Sequence, residues 1–325
     1  MKNFSVRAVA DGAIVTALTV VLLAAAAYVP ALGMFSIFVS GIPLVYLIIK
    51  RGFRVSVISL VASMALLFAL TGDIISGVFA GALSLLPSLV IGYCMKNRCR
   101  YYTTLLAGVI TVLFGFLIEI LMMNWLAGQN VILTILDQSI QMVRGTLSAY
   151  MEALGDSGAL SEVLSNGLEQ TKNTILSYFP AIMIFISAAV GYIIVSSCIF
   201  FMNRLRAMKY EYVRFYMIKI PKSMCIVACV LMLISFFSYD STMATLALKN
   251  VTVVLIGALA VDGMSTVDFT LRRKIRSGYM RFGIYMLVLI FGYFILSMIL
   301  YLLMFLGVLD AYLDIRLLRR AGDDR

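Results

Sequence analysis

The sequence predicts an all-α protein: a polytopic transmembrane bundle of eight or nine helical spans with an extracytoplasmic helical hairpin after the fifth. Three observations lead there. Hydrophobic residues make up 62% of the 325 and charged residues only 13%, far from the balance of a soluble domain. The apolar residues come in runs of about twenty, long enough to cross a bilayer. Lys and Arg gather in the short segments between those runs, the positive-inside pattern. The net charge of +10 therefore indicates orientation, and membrane lipid as a partner, rather than nucleic acid. Histidine is absent, which excludes His-based zinc sites, imidazole acid/base pairs and the Ser-His-Asp arrangement.

Taken in order, Lys2 and Arg7 precede a first span over residues 13–29. Another apolar run follows at once, so this is a retained helix and not a cleaved leader. Pro30 and Gly33 make the first turn, and a second span over 34–49 ends at Lys50 and Arg51. The third covers 55–70 and closes at Thr71-Gly72-Asp73, where Asp73 caps the next helix. That fourth helix, within 73–100, carries Gly77 and Gly81 four apart with Ala80, Ala82 and Ser84 nearby. Such a stripe lets a second helix approach backbone to backbone. Pro87 removes one donor and kinks the helix just beyond the stripe. The fifth span, 102–125, has Tyr101, Tyr102 and Trp125 at its two interfaces.

Residues 127–177 are more polar. Leu133, Leu136, Ile140, Val143, Leu147, Tyr150 and Leu154 recur in steps of three and four, one face of a helix. Gly155-Asp156-Ser157-Gly158 breaks it, and Leu160, Val163, Leu164 and Leu168 mark a second helix. The pair forms a hairpin over the outer mouth, either as a cover for apolar surface or as a lid. A sixth span, 178–202, completes a first domain, 1–202, and leads into a basic loop that opens the second, 203–325. Arg204, Arg206, Lys209 and Arg214 alternate there with Tyr210, Tyr212 and Phe215. Aromatics mixed with cations can stack on RNA bases, but beside two spans they are expected on lipid phosphates. Spans over 223–239 and 251–267 flank Asp240 and Lys249, and a second basic cluster runs from Arg272 to Arg281. The last run, 282–308, needs tilt to fit a bilayer of about 30 Å.

With the N-terminus cytoplasmic in a plasma membrane, inner segments hold nineteen Lys and Arg and outer loops three. Cys94, Cys99, Cys198, Cys225 and Cys229 then fall at inner ends or in inner loops, where thiols stay reduced, so no disulfide is expected. Cys225 and Cys229 stand one turn apart without further ligands, and neither a metal nor another cofactor is implied. The tail holds Arg316, Arg319, Arg320 and Arg325 against four Asp, which leaves its side open.

An ionisable side chain within a span is costly and points to a site. Glu119 is one, either facing a polar pocket below the outer interface or held as a hydrogen-bonded carboxyl between helices. Asn124 and Gln129 continue the polar patch beyond it. Asp262 is the other, and with Asp268 it is expected to pair with the basic cluster from Arg272 onward. Asp310, Asp314 and Arg316 read as an interfacial anchor. No Gly-rich phosphate loop and no paired-carboxylate motif occurs in a span, so an enzyme of the ordinary soluble type is not expected.

The first six spans resemble the substrate-capture (S) component of energy-coupling-factor vitamin transporters. The resemblance rests on the pair Ala13 and Ala17 in the first helix, on Pro30 in the first outer loop, and on GALSLLPSLVIGYCMKNR in the fourth span. It implies that Ala13 and Ala17 face a transmembrane coupling subunit, itself bound to ATPases. It also implies a small-molecule ligand held near Glu119, Asn124 and the hairpin. By length and its six-plus-three arrangement the whole chain resembles more closely the YybS-like predicted membrane proteins of Gram-positive bacteria. A capture or transport protein is thus one functional class. A membrane scaffold, recruiting partners or lipid through its outer hairpin and basic inner loops, is the other.

Overall fold

Apolar runs without breakers satisfy their own backbone as helices, the one open-ended solution available in lipid. In the computed structural model the described residues are 6–29, 35–36, 38–72, 79, 81–154, 159–210, 212–238, 242–275, 277–291 and 296–316. They form eleven α-helices, with no strand among the described residues. In chain order these are α1 Val6–Tyr28, α2 Ile42–Arg51, α3 Phe53–Thr71, α4 Leu86–Lys96, α5 Tyr101–Ala127 and α6 Val131–Leu154. There follow α7 Ala159–Arg204, α8 Lys222–Phe237, α9 Met243–Lys274, α10 Gly278–Phe291 and α11 Leu296–Leu313. Among the described residues, five segments are long and apolar enough to span a membrane: Val6–Ala25, Phe53–Thr71, Tyr101–Leu126, Asn166–Arg204 and Met243–Lys274. Gly81–Lys96, Lys222–Phe237 and Met298–Leu313 are shorter apolar helices. Large apolar side chains such as Phe114, Leu121 and Phe236 point outward, as lipid-facing residues do. The protein is a polytopic helical membrane protein.

Contacts divide the chain into two units, Met1–Leu176 with Ile186–Tyr212, and Ser177–Phe185 with Val213–Arg325. In the first, Leu23, Leu44, Ile48, Leu60, Leu67, Leu85 and Leu89 from α1 to α4 form the core. Buried hydroxyls cross-link it: Thr16 bonds Ser59 at 2.7 Å and Ser40 bonds Ser84 at 2.5 Å. Gly115 on α5 allows the carbonyl of Ala82 to approach, since a Cβ there would lie 2.5 Å from that oxygen. In the second unit Cys225, Ala228, Leu259 and Ala311 join α8, α9 and α11.

Three features differ from the sequence reading. Pro87 does not simply kink its helix. A π-helical turn, Gly81–Leu85, precedes it, and the wider turn makes room where the proline ring would meet the Leu83 carbonyl. The second hairpin helix and the sixth span are one helix, the 46-residue α7, with Pro180 inside it. At 1.5 Å per residue that is roughly 69 Å, about twice the hydrocarbon thickness. The bend at Pro180 is spliced by Asn250 on α9, whose Nδ2 donates to Ser177 O (2.8 Å) and whose Oδ1 accepts from Ala181 N–H (3.1 Å). These are the two backbone groups that an unbroken helix would pair with each other. The last apolar run forms α10 and α11 on either side of residues 292–295, which lie outside the described set. Pro30, Gly33, Asp73, Gly77, residues 155–158, Asp240, Arg319, Arg320 and Arg325 also lie outside it.

Candidate functional site

In the first unit, α1 meets α3 through Gly12 and Thr16, which are buried. Gly12 lets the helices approach closely there, since a Cβ would lie 3.3 Å from Val55 Cγ1. Ala13 and Ala17 sit one step further round the helix and are exposed. With Val9, Ile58, Ala62 and Leu66 they line a groove of about 380 Å³, floored by the Thr16–Ser59 bond. The two hydroxyls satisfy each other, so the groove offers an incoming surface apolar contact and close approach rather than hydrogen bonds. Gly81, the other small residue of the sequence reading, is buried where a Cβ would lie 2.6 Å from Met64 Cε. It admits a thioether side chain and not a second backbone.

Glu119 lies half-buried on α5 with no hydrogen-bond partner among the described residues. Asn124 is not free for a ligand on its Oδ1, which accepts the Val131 N–H at 2.9 Å and so caps the start of α6. Its carbonyl accepts from Gly128 N–H (3.0 Å), the glycine whose φ of 64° ends α5. Gln129 is exposed in the same corner. Five residues separate Glu119 from Asn124, about 500° of helix, so the two project from different faces.

Arg204, Arg206 and Lys209 are exposed. Arg204 lines a cavity of about 590 Å³ with Ser196, Asn203 and Tyr212, which has room for a phosphate. Tyr210 holds the loop in place. Its N–H bonds Asn203 Oδ1 at 2.9 Å, its carbonyl accepts from Asn203 Nδ2 at 3.0 Å, and its hydroxyl meets Thr104 at 2.7 Å and donates to the Cys99 carbonyl. Burial pushes its phenol above the ordinary tyrosine range. In the second unit Arg214 is exposed and donates to the Tyr216 hydroxyl at 3.3 Å.

The second unit also holds the densest polar cluster, centred on Arg316. This residue is 7% exposed, and Asp262 and Asp310 are fully buried. Nη2 donates to Asp262 Oδ1 (2.6 Å) and Thr266 Oγ1 (3.0 Å); Nη1 donates to the carbonyls of Ile218 (2.8 Å) and Tyr216 (2.9 Å). Nε lies 3.0 Å from Asp310 Oδ2 but off the N–H direction, so that contact is Coulombic. Glycine makes the cluster possible. A Cβ on Gly263 would overlap the Leu303 carbonyl, and one on Gly307 the Leu259 carbonyl, so α9 and α11 touch backbone to backbone and bring the tail beside Asp262. Lys219 pairs with Asp314 at 2.8 Å.

The expected partner for Asp262 was the basic cluster, and this is corrected. Asp268 takes Arg272 (2.9 Å) and the Tyr285 hydroxyl (2.8 Å), while Asp262 takes Arg316. Arg316 is accordingly a buried clamp and not an interfacial anchor. Sequence reasoning singled out Asp262, Asp310 and Arg316 but had no means of pairing residues about fifty positions apart. All five cysteines are free, and among the described residues no group of three or more Cys, Asp and Glu is placed to hold a metal ion.

A family model described as a predicted membrane protein family, DUF2232, matches residues 17–311. No curated protein matches the chain. No solved structure matches it either.

Proposed function

We propose that this chain, which belongs to the DUF2232 family of predicted membrane proteins, is the membrane-embedded capture component of a small-molecule uptake system. It would dock side-on against a transmembrane coupling subunit through the α1–α3 groove. The observation that carries this reading is that Ala13 and Ala17 are exposed along that groove. In lipid an apolar face gains nothing by being covered, whereas a stripe of small residues gains close packing when another helix fills it. The resemblance to S components and to YybS-like proteins supplies the kind of partner, and ATPases bound to that partner would supply energy. Glu119, half-buried on α5, would read a cationic or polar group of the substrate. The working orientation is a multi-pass plasma-membrane protein with its N-terminus in the cytoplasm.

The test is co-expression with a transmembrane coupling subunit and its ATPases, comparing the native chain with Ala17→Trp. Native protein should co-purify with the coupling subunit and the Trp variant should not. Purified native protein should also show saturable small-molecule binding that Glu119→Ala weakens. Equal co-purification of both chains, or no stabilisation across a broad metabolite and vitamin library, would overturn the reading.

The scaffold reading has its own support in α6. Ile135, Met142 and Val143 are exposed on it, and the ion pairs Asp137–Lys172 (2.5 Å) and Glu169–Arg144 (3.9 Å) tie α6 to α7. It predicts that deleting residues 133–168 removes a specific crosslinked partner and leaves the remaining spans folded.

A further inference from the structure

In the second unit α8 and the first turns of α9 bound a cavity of about 920 Å³. Leu233, Phe236 and Val253 form its apolar wall, and Lys249, Ser235 and Tyr301 its polar part. α9 begins at Met243 behind the N-cap Thr242, so Lys249 lies within the helix, roughly 9 Å along its axis from the first residue. Arg272, Arg273 and Lys274 are at the other end of the same 32-residue helix, roughly 35 Å along its axis from Lys249. Lys249 makes no ion pair among the described residues.

That placement is unfavourable: a half-buried lysine beside an apolar wall, on a helix apolar enough to span a membrane, loses hydration. The cost falls if an anion occupies the cavity beside the ammonium. The wall adds a second requirement, because Leu233 is 62% and Phe236 72% exposed, so the cavity opens toward hydrocarbon. Inorganic phosphate would meet only the first requirement, and a neutral apolar helix only the second. An anionic phospholipid meets both.

We propose that this cavity is a binding site for one anionic phospholipid of the surrounding leaflet. Its phosphate lies on Lys249, with Ser235 and Tyr301 hydroxyls in reach, and an acyl chain runs along Leu233 and Phe236 of α8. The site is separate from the α1–α3 groove and does not depend on the capture reading.

The test reconstitutes the full chain into phosphatidylcholine vesicles doped with phosphatidylglycerol or phosphatidylcholine carrying a photoreactive acyl chain. Crosslinks are mapped by peptide mass spectrometry. Labelling of the Lys222–Phe237 peptide by the phosphatidylglycerol probe should exceed that by the phosphatidylcholine probe about fivefold, the factor for one lysine at an anionic headgroup. Lys249→Gln should reduce it to the phosphatidylcholine level, Lys249→Arg should retain it, and millimolar inorganic phosphate should leave it unchanged. Equal labelling by the two probes overturns the site in native protein alone, whether or not the Gln variant folds. Undiminished labelling of a folded Lys249→Gln chain overturns the role of the lysine. Competition by inorganic phosphate would mean a soluble anion site instead.

Discussion

Replacing Arg316 by Ala should open the second unit. The substitution leaves Asp262 and Asp310, both fully buried, without their shared cation, and it strands the Tyr216 and Ile218 carbonyls. Breaking a buried ion pair by removing one partner costs about 3–5 kcal/mol. At about 1.4 kcal/mol per tenfold, that raises the open population roughly a thousandfold. Cys225 gives a direct readout, since it is fully buried against Ala228, Leu259 and Ala311 in the same unit. Alkylation in detergent, followed residue by residue by mass spectrometry, compares Cys225 with two internal references. Cys229, one turn away and exposed, reports an open thiol, and fully buried Cys198 in the first unit reports a closed one. In native protein Cys225 should react at the rate of Cys198; in Arg316→Ala it should approach Cys229. Arg316→Lys should fall between, because one ammonium cannot reach both carboxylates and two loop carbonyls as the planar fork does. Joint replacement by Arg316→Met, Asp262→Leu and Asp310→Leu should restore most of the protection, since an apolar set of similar volume removes the stranded charges. If Cys225 stays protected in Arg316→Ala, the cluster does not hold this unit together and the reasoning fails.

Gly307→Ala should lower the melting temperature of the purified protein by an amount equivalent to about 1–3 kcal/mol, as overpacking does, because its methyl overlaps the Leu259 carbonyl. The same substitution at Gly145, where a Cβ meets nothing within 4 Å, should leave the melt unchanged or raise it slightly; equal losses at both positions would contradict the tight α9–α11 crossing. Asn250→Leu should cost about 1–3 kcal/mol for each backbone group left unpaired at the Pro180 bend. Adding Pro180→Ala should recover most of that loss by letting α7 close its own bonds, and a double variant no better than Asn250→Leu would refute the splice. Tyr210→Phe should cost about 1 kcal/mol and speed hydrogen exchange in the loop after α7, since the hydroxyl bonds to Thr104 and Cys99 are lost. Unchanged exchange there would mean that the Asn203 contacts suffice.

The third and seventh spans were legible in position because an apolar run's length is a local property. Residues 55–70 and 223–239 fall almost on α3 and α8. Pro87 was legible as a disturbance and not as a π turn, since the form of the disturbance depends on whether the Leu83 carbonyl can be moved aside by packing. Pro180 was missed as the centre of a continuous helix. A proline after a polar stretch reads as a boundary, and only Asn250, seventy residues on, turns it into a bend. Glu119 stood out by residue type, while the Val131 N–H that Asn124 Oδ1 accepts is a group that sequence reading does not count. The Arg316 cluster was invisible as a cluster. Asp262 read as a charge within a span and Asp310 and Arg316 as interfacial ones, and the glycines that bring them together matter only once α9 and α11 are known to cross.

Small residues supply a closing argument about Ala13 and Ala17. Between lipid-facing helices apolarity gives no net attraction, so close contact must come from side chains small enough to let backbones meet or from polar groups that need one another. The described helices use both. Gly115 faces Ala82, Gly191 faces Val109, Gly263 and Gly307 face carbonyls across α9 and α11, and Gly12 faces Val55. Each of these is already covered within its own unit. Ala13 and Ala17 have the same character and lie on the same helix as Gly12, yet they are exposed. A lipid-facing position on a helix places no demand for small size, as Ile14, Leu18 and Val21 on α1 demonstrate. Two alanines one turn apart, floored by a satisfied hydroxyl pair and walled by Ile58 and Leu66, have the dimensions of the helix contact that the proposed capture role requires. Ala13→Leu and Ala17→Leu should leave the melt of the isolated protein within about 0.5 kcal/mol, as exposed substitutions do, while abolishing assembly with the coupling subunit. A fall in intrinsic stability with assembly intact would show instead that the groove serves this chain's own fold.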